Sequence, residues 1–132
     1  MVPLIEEYKE LKFAVSFTCK DGHSLCHGES FREAAQFVES LPQVVAVGVN
    51  CSSPQYVSDL LRSIKGVFTK NILVMANSGE EWTREKGWLS NEKVKNLPEY
   101  VEEWRSLGAN WIGGCCRTYT EDITEIRRQL IR

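Results

Sequence analysis

Three cysteines close two glycine-rich segments, Gly48-Val49-Asn50-Cys51 and Gly113-Gly114-Cys115-Cys116-Arg117-Thr118. Each segment follows an apolar run, residues 44–47 and Trp111-Ile112, that reads as a buried strand. Three thiolates at neighbouring strand ends would hold a zinc ion and leave its fourth position open, the layout of a catalytic rather than a structural zinc. Sulfur suits this ion, and the ion lowers the pKa of a bound thiol. Three anionic ligands on a dication make a net negative site that favours a thiol substrate as the fourth ligand. Such a sulfur stays deprotonated at neutral pH yet nucleophilic, and the chemistry expected is attack on an electrophilic carbon with alkyl transfer. Two blander readings stand beside this one. Buried cysteines serve as small apolar residues, and Cys115 with Cys116 would make a vicinal disulfide. No CxxC pair decides among them. Gly113-Gly114 gives the backbone freedom where two adjacent side chains have to converge.

The elements that must position these residues read as a strand–helix unit used four times. Strands are expected at residues 13–18, 44–49, 71–76 and 110–112. The first helix of the repeat opens at Ser30 with Glu33 three places on, a capping box, and shows Phe31, Ala34, Ala35, Val38 and Leu41 on one face. The second opens at Ser53-Pro54 and carries Val57, Leu60, Leu61 and Ile64. After the third strand a long polar loop runs from Asn77 to about Asn96. The helix beyond it starts near Pro98, buries Tyr100, Val101, Trp104 and Leu107, and ends at Gly108. The last helix is expected to start at Thr118, with Glu121 completing a second capping box, and to carry Ile123, Ile126 and Leu130. A preceding helix entered at Pro3 is suggested by Leu4, Ile5, Tyr8 and Leu11.

This alternation predicts an α/β protein with a parallel sheet and right-handed crossovers. The continuous apolar strands predict a sheet buried on both faces. A small open doubly wound sheet and half of an eight-fold barrel both satisfy the pattern, and both carry their chemistry at the C-terminal ends of the strands. Cys19, Cys51, Asn77, Cys115 and Cys116 all fall at such ends. Cys19 and Cys26 flank Lys20-Asp21-Gly22-His23, which reads as a solvated loop with one strand-end thiol rather than a redox or metal site. His23 and His27 are too isolated to serve as a base. Trp82 and Trp88 lie in the long loop, where they cover a site or pack the loop down; Glu80-Glu81 reads as solvated surface.

The chain has 132 residues, enough for one domain with a core. With 42% hydrophobic and 26% charged residues it has the composition of a globular rather than a disordered chain. A net charge of −2 with scattered basic residues argues against binding to nucleic acid or membrane surfaces. No apolar run approaches a membrane span, and the N-terminus lacks the pattern of a signal peptide, so a cytoplasmic protein is expected. Five cysteines, an odd number, fit free or metal-bound thiols in a reducing compartment better than a disulfide framework.

Four motifs in order and register resemble the homocysteine S-methyltransferase family: Phe17-Thr18-Cys19-Lys20-Asp21-Gly22, Gly48-Val49-Asn50-Cys51, Asn77-Ser78-Gly79-Glu80 and Gly113-Gly114-Cys115-Cys116-Arg117-Thr118. The likeness runs over essentially the whole chain. It implies a zinc-dependent (β/α)8 TIM barrel that methylates homocysteine to methionine, with S-methylmethionine, S-adenosylmethionine or betaine as donor in related enzymes. The family's zinc ligands carry over to Cys51, Cys115 and Cys116. The part resembled is the second half of the barrel, strands five to eight, so residues 1–132 are expected to be a partial homocysteine-binding domain. The first half, with its Asp-Gly-Gly strand end and an acidic residue for the homocysteine amino group, has no counterpart here, and Met1 falls in the helix after strand four. Trp82-Thr83 stands where many relatives have Tyr-Asp. A half barrel would expose two parallel edges, and self-association to complete the barrel is one expectation that follows. A non-catalytic zinc-binding or interaction module derived from the enzyme is the alternative to methyl transfer. A small thiol-redox protein with a reducible Cys115–Cys116 pair is a third reading.

Overall fold

A computed structural model describes residues 2–89 and 96–131. Helix α1 (Val2–Glu7) precedes strand β1 (Phe13–Phe17), α2 (Phe31–Glu39), β2 (Val44–Asn50), α3 (Pro54–Ile64) and β3 (Asn71–Ala76). A short hairpin, β4 (Glu81–Thr83) and β5 (Gly87–Leu89), lies in the long loop. A 3₁₀ turn (Leu97–Tyr100) then leads into α4 (Val101–Ser106), β6 (Ala109–Gly114) and α5 (Thr120–Leu130). The main sheet has the order β1-β2-β3-β6 with every pair parallel. This is the expected run of four strand–helix units, laid side by side in chain order.

Local sequence explains most of the boundaries. Ser30 accepts a bond from the Glu33 N–H (3.3 Å) and starts α2, as the capping pattern predicted. Pro54 opens α3 at a position where a missing N–H costs nothing. Gly108, with φ +103°, lets the chain leave α4 through the left-handed region and enter β6. The apolar faces expected of α2 and α3 supply the core: Phe31, Ala35, Val38, Val57, Leu60, Leu61 and Ile64 are buried with Trp104 and Ile126.

One end of α5 differs from expectation. The Thr118 hydroxyl donates to the Cys115 carbonyl (2.7 Å), as does its N–H (3.3 Å), so Thr118 closes a turn and cannot cap. The helix starts two residues later, where the Tyr119 N–H bonds the Asp122 carboxylate (2.9 Å). Strand β6 also runs on to Gly114, beyond the expected 110–112. Residues 90–95 of the long loop lie outside the described residues.

The two faces of the sheet are unequal, which corrects the expectation of burial on both sides. Ile72, Val74 and Ala76 point into the core under the helices, whereas the alternate residues Asn71, Leu73 and Met75 are only half-buried. Register puts Ser16, Gly48, Leu73 and Trp111 in one row across this second face, and Trp111 remains 42% exposed. Among the described residues no layer covers it. On this face Ala46 and Gly48 of β2 are buried, whereas the residues of β3 are half-buried and Trp111 of β6 is exposed. A side chain at Gly48 would collide with the Leu73 carbonyl, so glycine is required in this row. The outer strands β1 and β6 have no partner on their free edges among the described residues.

Candidate metal centre

Strands β2 and β6 flank β3, and their C-terminal ends carry the three cysteines. The ladder continues one step past each strand: the Cys51 N–H bonds the Met75 carbonyl (3.0 Å), and the Cys115 N–H bonds that of Ala76 (2.8 Å). Both chains then turn sharply through left-handed residues, Cys51 with φ 48° and Arg117 with φ 59°. The result brings the Sγ atoms of Cys51, Cys115 and Cys116 within 4.8 Å of one another, the group expected from sequence.

Cys51 and Cys115 are joined as a disulfide, with Cα atoms 5.6 Å apart. This one pair departs from the expectation of free or metal-bound thiols, and it is not the vicinal alternative, whose sulfurs are 3.9 Å apart. The pairing follows from the sheet, which sets Cys51 and Cys115 on either side of the β3 exit. The donor set fits a thiophilic ion once these two cysteines are reduced. Tetrahedral thiolates about 2.3 Å from zinc sit ~3.8 Å from one another. The Cys116 sulfur lies 3.9 Å from both of the others. Cys51 and Cys115 are half-buried and Cys116 is exposed, so the group is open to solvent.

The exit of β3 supplies no cysteine but binds both loops. The Asn77 N–H bonds the Ser52 carbonyl (3.1 Å), and its amide nitrogen donates to the Cys51 carbonyl (3.3 Å). The Ser78 N–H bonds the Cys116 carbonyl (3.1 Å). Glu80 takes a two-pronged contact from Arg117, Nε to Oε2 at 2.5 Å and an Nη to Oε1 at 3.2 Å, and this raises the already high pKa of the guanidinium. Glu80, expected as solvated surface, has a side chain that is only 16% exposed. A signal lay in the sequence: an acid and an arginine stand in two of the motifs that carry the family resemblance, Asn77-Ser78-Gly79-Glu80 and Gly113-Gly114-Cys115-Cys116-Arg117-Thr118. Glu81, by contrast, is exposed as expected. Trp82 is 58% exposed on the hairpin, and Trp88 is half-buried opposite it.

Cys19 stands apart from the group. It is buried at the β1 exit, where its N–H bonds the Ser52 hydroxyl (2.8 Å). Burial pushes its thiol up to about 12, with the nearby Cys26 and Asp21 adding to the shift against a smaller lowering by Ser52. The Asp21 carboxylate caps the His23 and Ser24 N–H groups at 2.8 and 2.6 Å. Of the loop expected to be solvated, Lys20 and His23 are exposed, Asp21 is half-buried and Gly22 is buried; His27 is exposed.

The family model described as homocysteine S-methyltransferase matches residues 1–130. Selenocysteine Se-methyltransferase of Brassica oleracea var. italica is 40% identical over 88% of the chain, which covers 34% of that protein. Homocysteine S-methyltransferase 2 of Arabidopsis thaliana is 39% identical over 88% of the chain and 36% of its own length. The homocysteine methyltransferase MmuM from Escherichia coli, in its metallated form, superposes with a TM-score of 0.78 at 29% identity, over 96% of this chain and 38% of that one. The chain thus spans little more than a third of these relatives. Within that third the likeness runs from end to end, and the chain belongs to the homocysteine S-methyltransferase family, as its four motifs implied.

Proposed function

We propose that residues 1–132 form part of a homocysteine-binding domain in which Cys51, Cys115 and Cys116 are zinc ligands. The reaction is transfer of a methyl group from a methyl-onium donor, such as S-methylmethionine or S-adenosylmethionine, to the sulfur of homocysteine, giving methionine. The observation that carries this reading is the convergence of three sulfurs at the ends of β2 and β6. Zinc held there would keep a fourth, substrate sulfur in its thiolate form at neutral pH. The chain's own residues set the geometry. The β-ladder bonds at Cys51 and Cys115 fix the height of both ligands above the sheet, and Asn77 and Ser78 tie the two loops together. In the transfer the homocysteine sulfur forms a bond to the methyl carbon as the carbon–sulfur bond of the donor breaks. The electron pair of that bond returns to the donor sulfur and discharges its positive charge. With zinc bound there, homocysteine would release its thiol proton to solvent on binding, and the attacking sulfur would already be a thiolate.

A second reading is favoured by the open face of the sheet: a zinc-binding or interaction module without catalysis. The row through Leu73 and Trp111 has no covering layer among the described residues. Zinc content of the reduced chain, followed by a methionine assay with homocysteine and S-methylmethionine, separates the two. About one zinc per chain, lost in Cys115→Ala, together with methionine formation supports the methyltransferase. Zinc without methionine supports the module. A folded, reduced chain that takes no zinc overturns both.

A further inference from the structure

We propose that Glu80 and Arg117 are positioning residues for the thiol group: their ion pair pins the segment bearing Cys115 and Cys116 to the exit of β3. The proposal rests on the reading of the three cysteines as metal ligands. It also makes a claim about the metal-free chain that can be tested separately.

The argument begins with the backbone. Arg117 has φ 59°, a conformation that costs a residue with a side chain about 1 kcal/mol or more and that glycine adopts freely. An arginine at a position suited to glycine needs a compensating contact. Its planar fork finds one in the Glu80 carboxylate, 37 positions earlier in the chain. That carboxylate is itself held, because the Ser78 hydroxyl donates to Glu80 Oε2 (2.8 Å). Ser78 in turn binds the Cys116 carbonyl through its N–H (3.1 Å). The β3 exit therefore holds the cysteine loop at two points, one on the backbone and one through the arginine. Exposed ion pairs usually contribute little. This one differs in being two-pronged, in having a carboxylate that is 16% exposed, and in closing a ring with Ser78 and Cys116.

Without the pair, the turn at residue 117 is free to relax out of the left-handed region, and Cys115 and Cys116 drift relative to Cys51. The consequence should be visible in how strongly the sheet drives Cys51 and Cys115 together. In a glutathione buffer, the two thiols give two electrons and two protons to oxidised glutathione, forming the protein disulfide and two molecules of reduced glutathione. The equilibrium constant is an effective concentration of one thiol at the other.

The experiment compares the native chain with Glu80→Gln and Arg117→Lys, reading the Cys51–Cys115 disulfide by peptide mass mapping. Lysine keeps the charge but loses the fork. Each variant should lower the effective concentration tenfold or more while its far-UV circular dichroism and unfolding midpoint stay near native. Arg62→Gln, which removes an ion pair between α3 and α4, should leave it unchanged. Zinc affinity, measured by competition with a chromophoric chelator, should fall in the same two variants. An effective concentration within twofold of native in whichever of the two variants folds overturns the proposal. If the native chain takes no zinc, the metal reading fails by itself, and the disulfide equilibrium still decides whether Glu80 and Arg117 position the thiols.

Discussion

The exit of β1 and the exits of β2 and β6, all at one end of the same sheet, treat their cysteines in opposite ways. At the β1 exit, Cys19 sits on an edge strand, is buried, and has its thiol pushed up to about 12. At the β2 and β6 exits, the strands flank a common neighbour, and three sulfurs meet in a half-open group. All four cysteines follow apolar runs, and all stand in motifs that match one family. What separates them is the position of their strands in the sheet and the turn that follows. Left-handed turns at Cys51 and Arg117 reverse the chain toward the β3 exit, whereas the chain after Cys19 pairs with Leu25 and folds back on itself. A strand-end cysteine becomes a candidate ligand only where neighbouring exits supply others.

The contrast breaks most visibly if Cys19 turns out to matter for metal. Cys51→Ala should abolish zinc uptake by the reduced chain, and Cys19→Ala should leave the stoichiometry at its native value, both read by elemental analysis after desalting. Reactivity sharpens it next. Cys19 is buried, and a thiol with a pKa near 12 is ionised to only about one part in ten thousand at pH 8. Iodoacetamide at pH 8 should therefore modify the exposed Cys26 at least a hundredfold faster than Cys19, as followed by peptide mass spectrometry; equal rates would refute the burial argument.

Smaller effects concern the links around Cys19. The Ser52 hydroxyl accepts from the Cys19 N–H and donates to the Asn50 carbonyl (3.1 Å), joining the β1 and β2 exits. Ser52→Ala should cost about 1–2 kcal/mol in urea unfolding because a buried N–H loses its partner. The Cys19 thiol also adds a gentle alkaline slope. Its folded value lies above the ordinary 9.0, so its contribution is complete below pH ~9. Above that pH the unfolded chain releases a proton that the folded chain retains, and stability falls as pH rises toward 12. Cys19→Ala should lack this part of the decline between pH 8 and 10.5.

Much of the fold was legible because local rules act strongly here. Ser30 and Pro54 mark helix starts by satisfying or lacking an N–H, and Val57, Leu60, Leu61 and Ile64 mark a buried face by spacing alone. The start of α5 departs from expectation because the Thr118 hydroxyl can either accept from a helix N–H as a cap or donate to the Cys115 carbonyl in a turn. A cap at the helix and a turn at Cys115 look alike until the β6 exit is in place, and the turn wins. Glu80 departs from expectation for a related reason. An acidic residue in a polar loop is usually solvated, and its partner Arg117 is far away along the chain.

The four strand–helix units, the parallel order they imply, the family and three cysteines at strand ends can all be read from the chain's residues. Those follow from apolar periodicity, capping and motif spacing, which are properties of neighbouring residues. The convergence of three sulfurs, the burial of Cys19 past an edge strand and the unequal burial of the two sheet faces come from the folded arrangement. These depend on strand order, register and the left-handed turns at Cys51 and Arg117, where contacts between distant residues override the preferences of each segment alone.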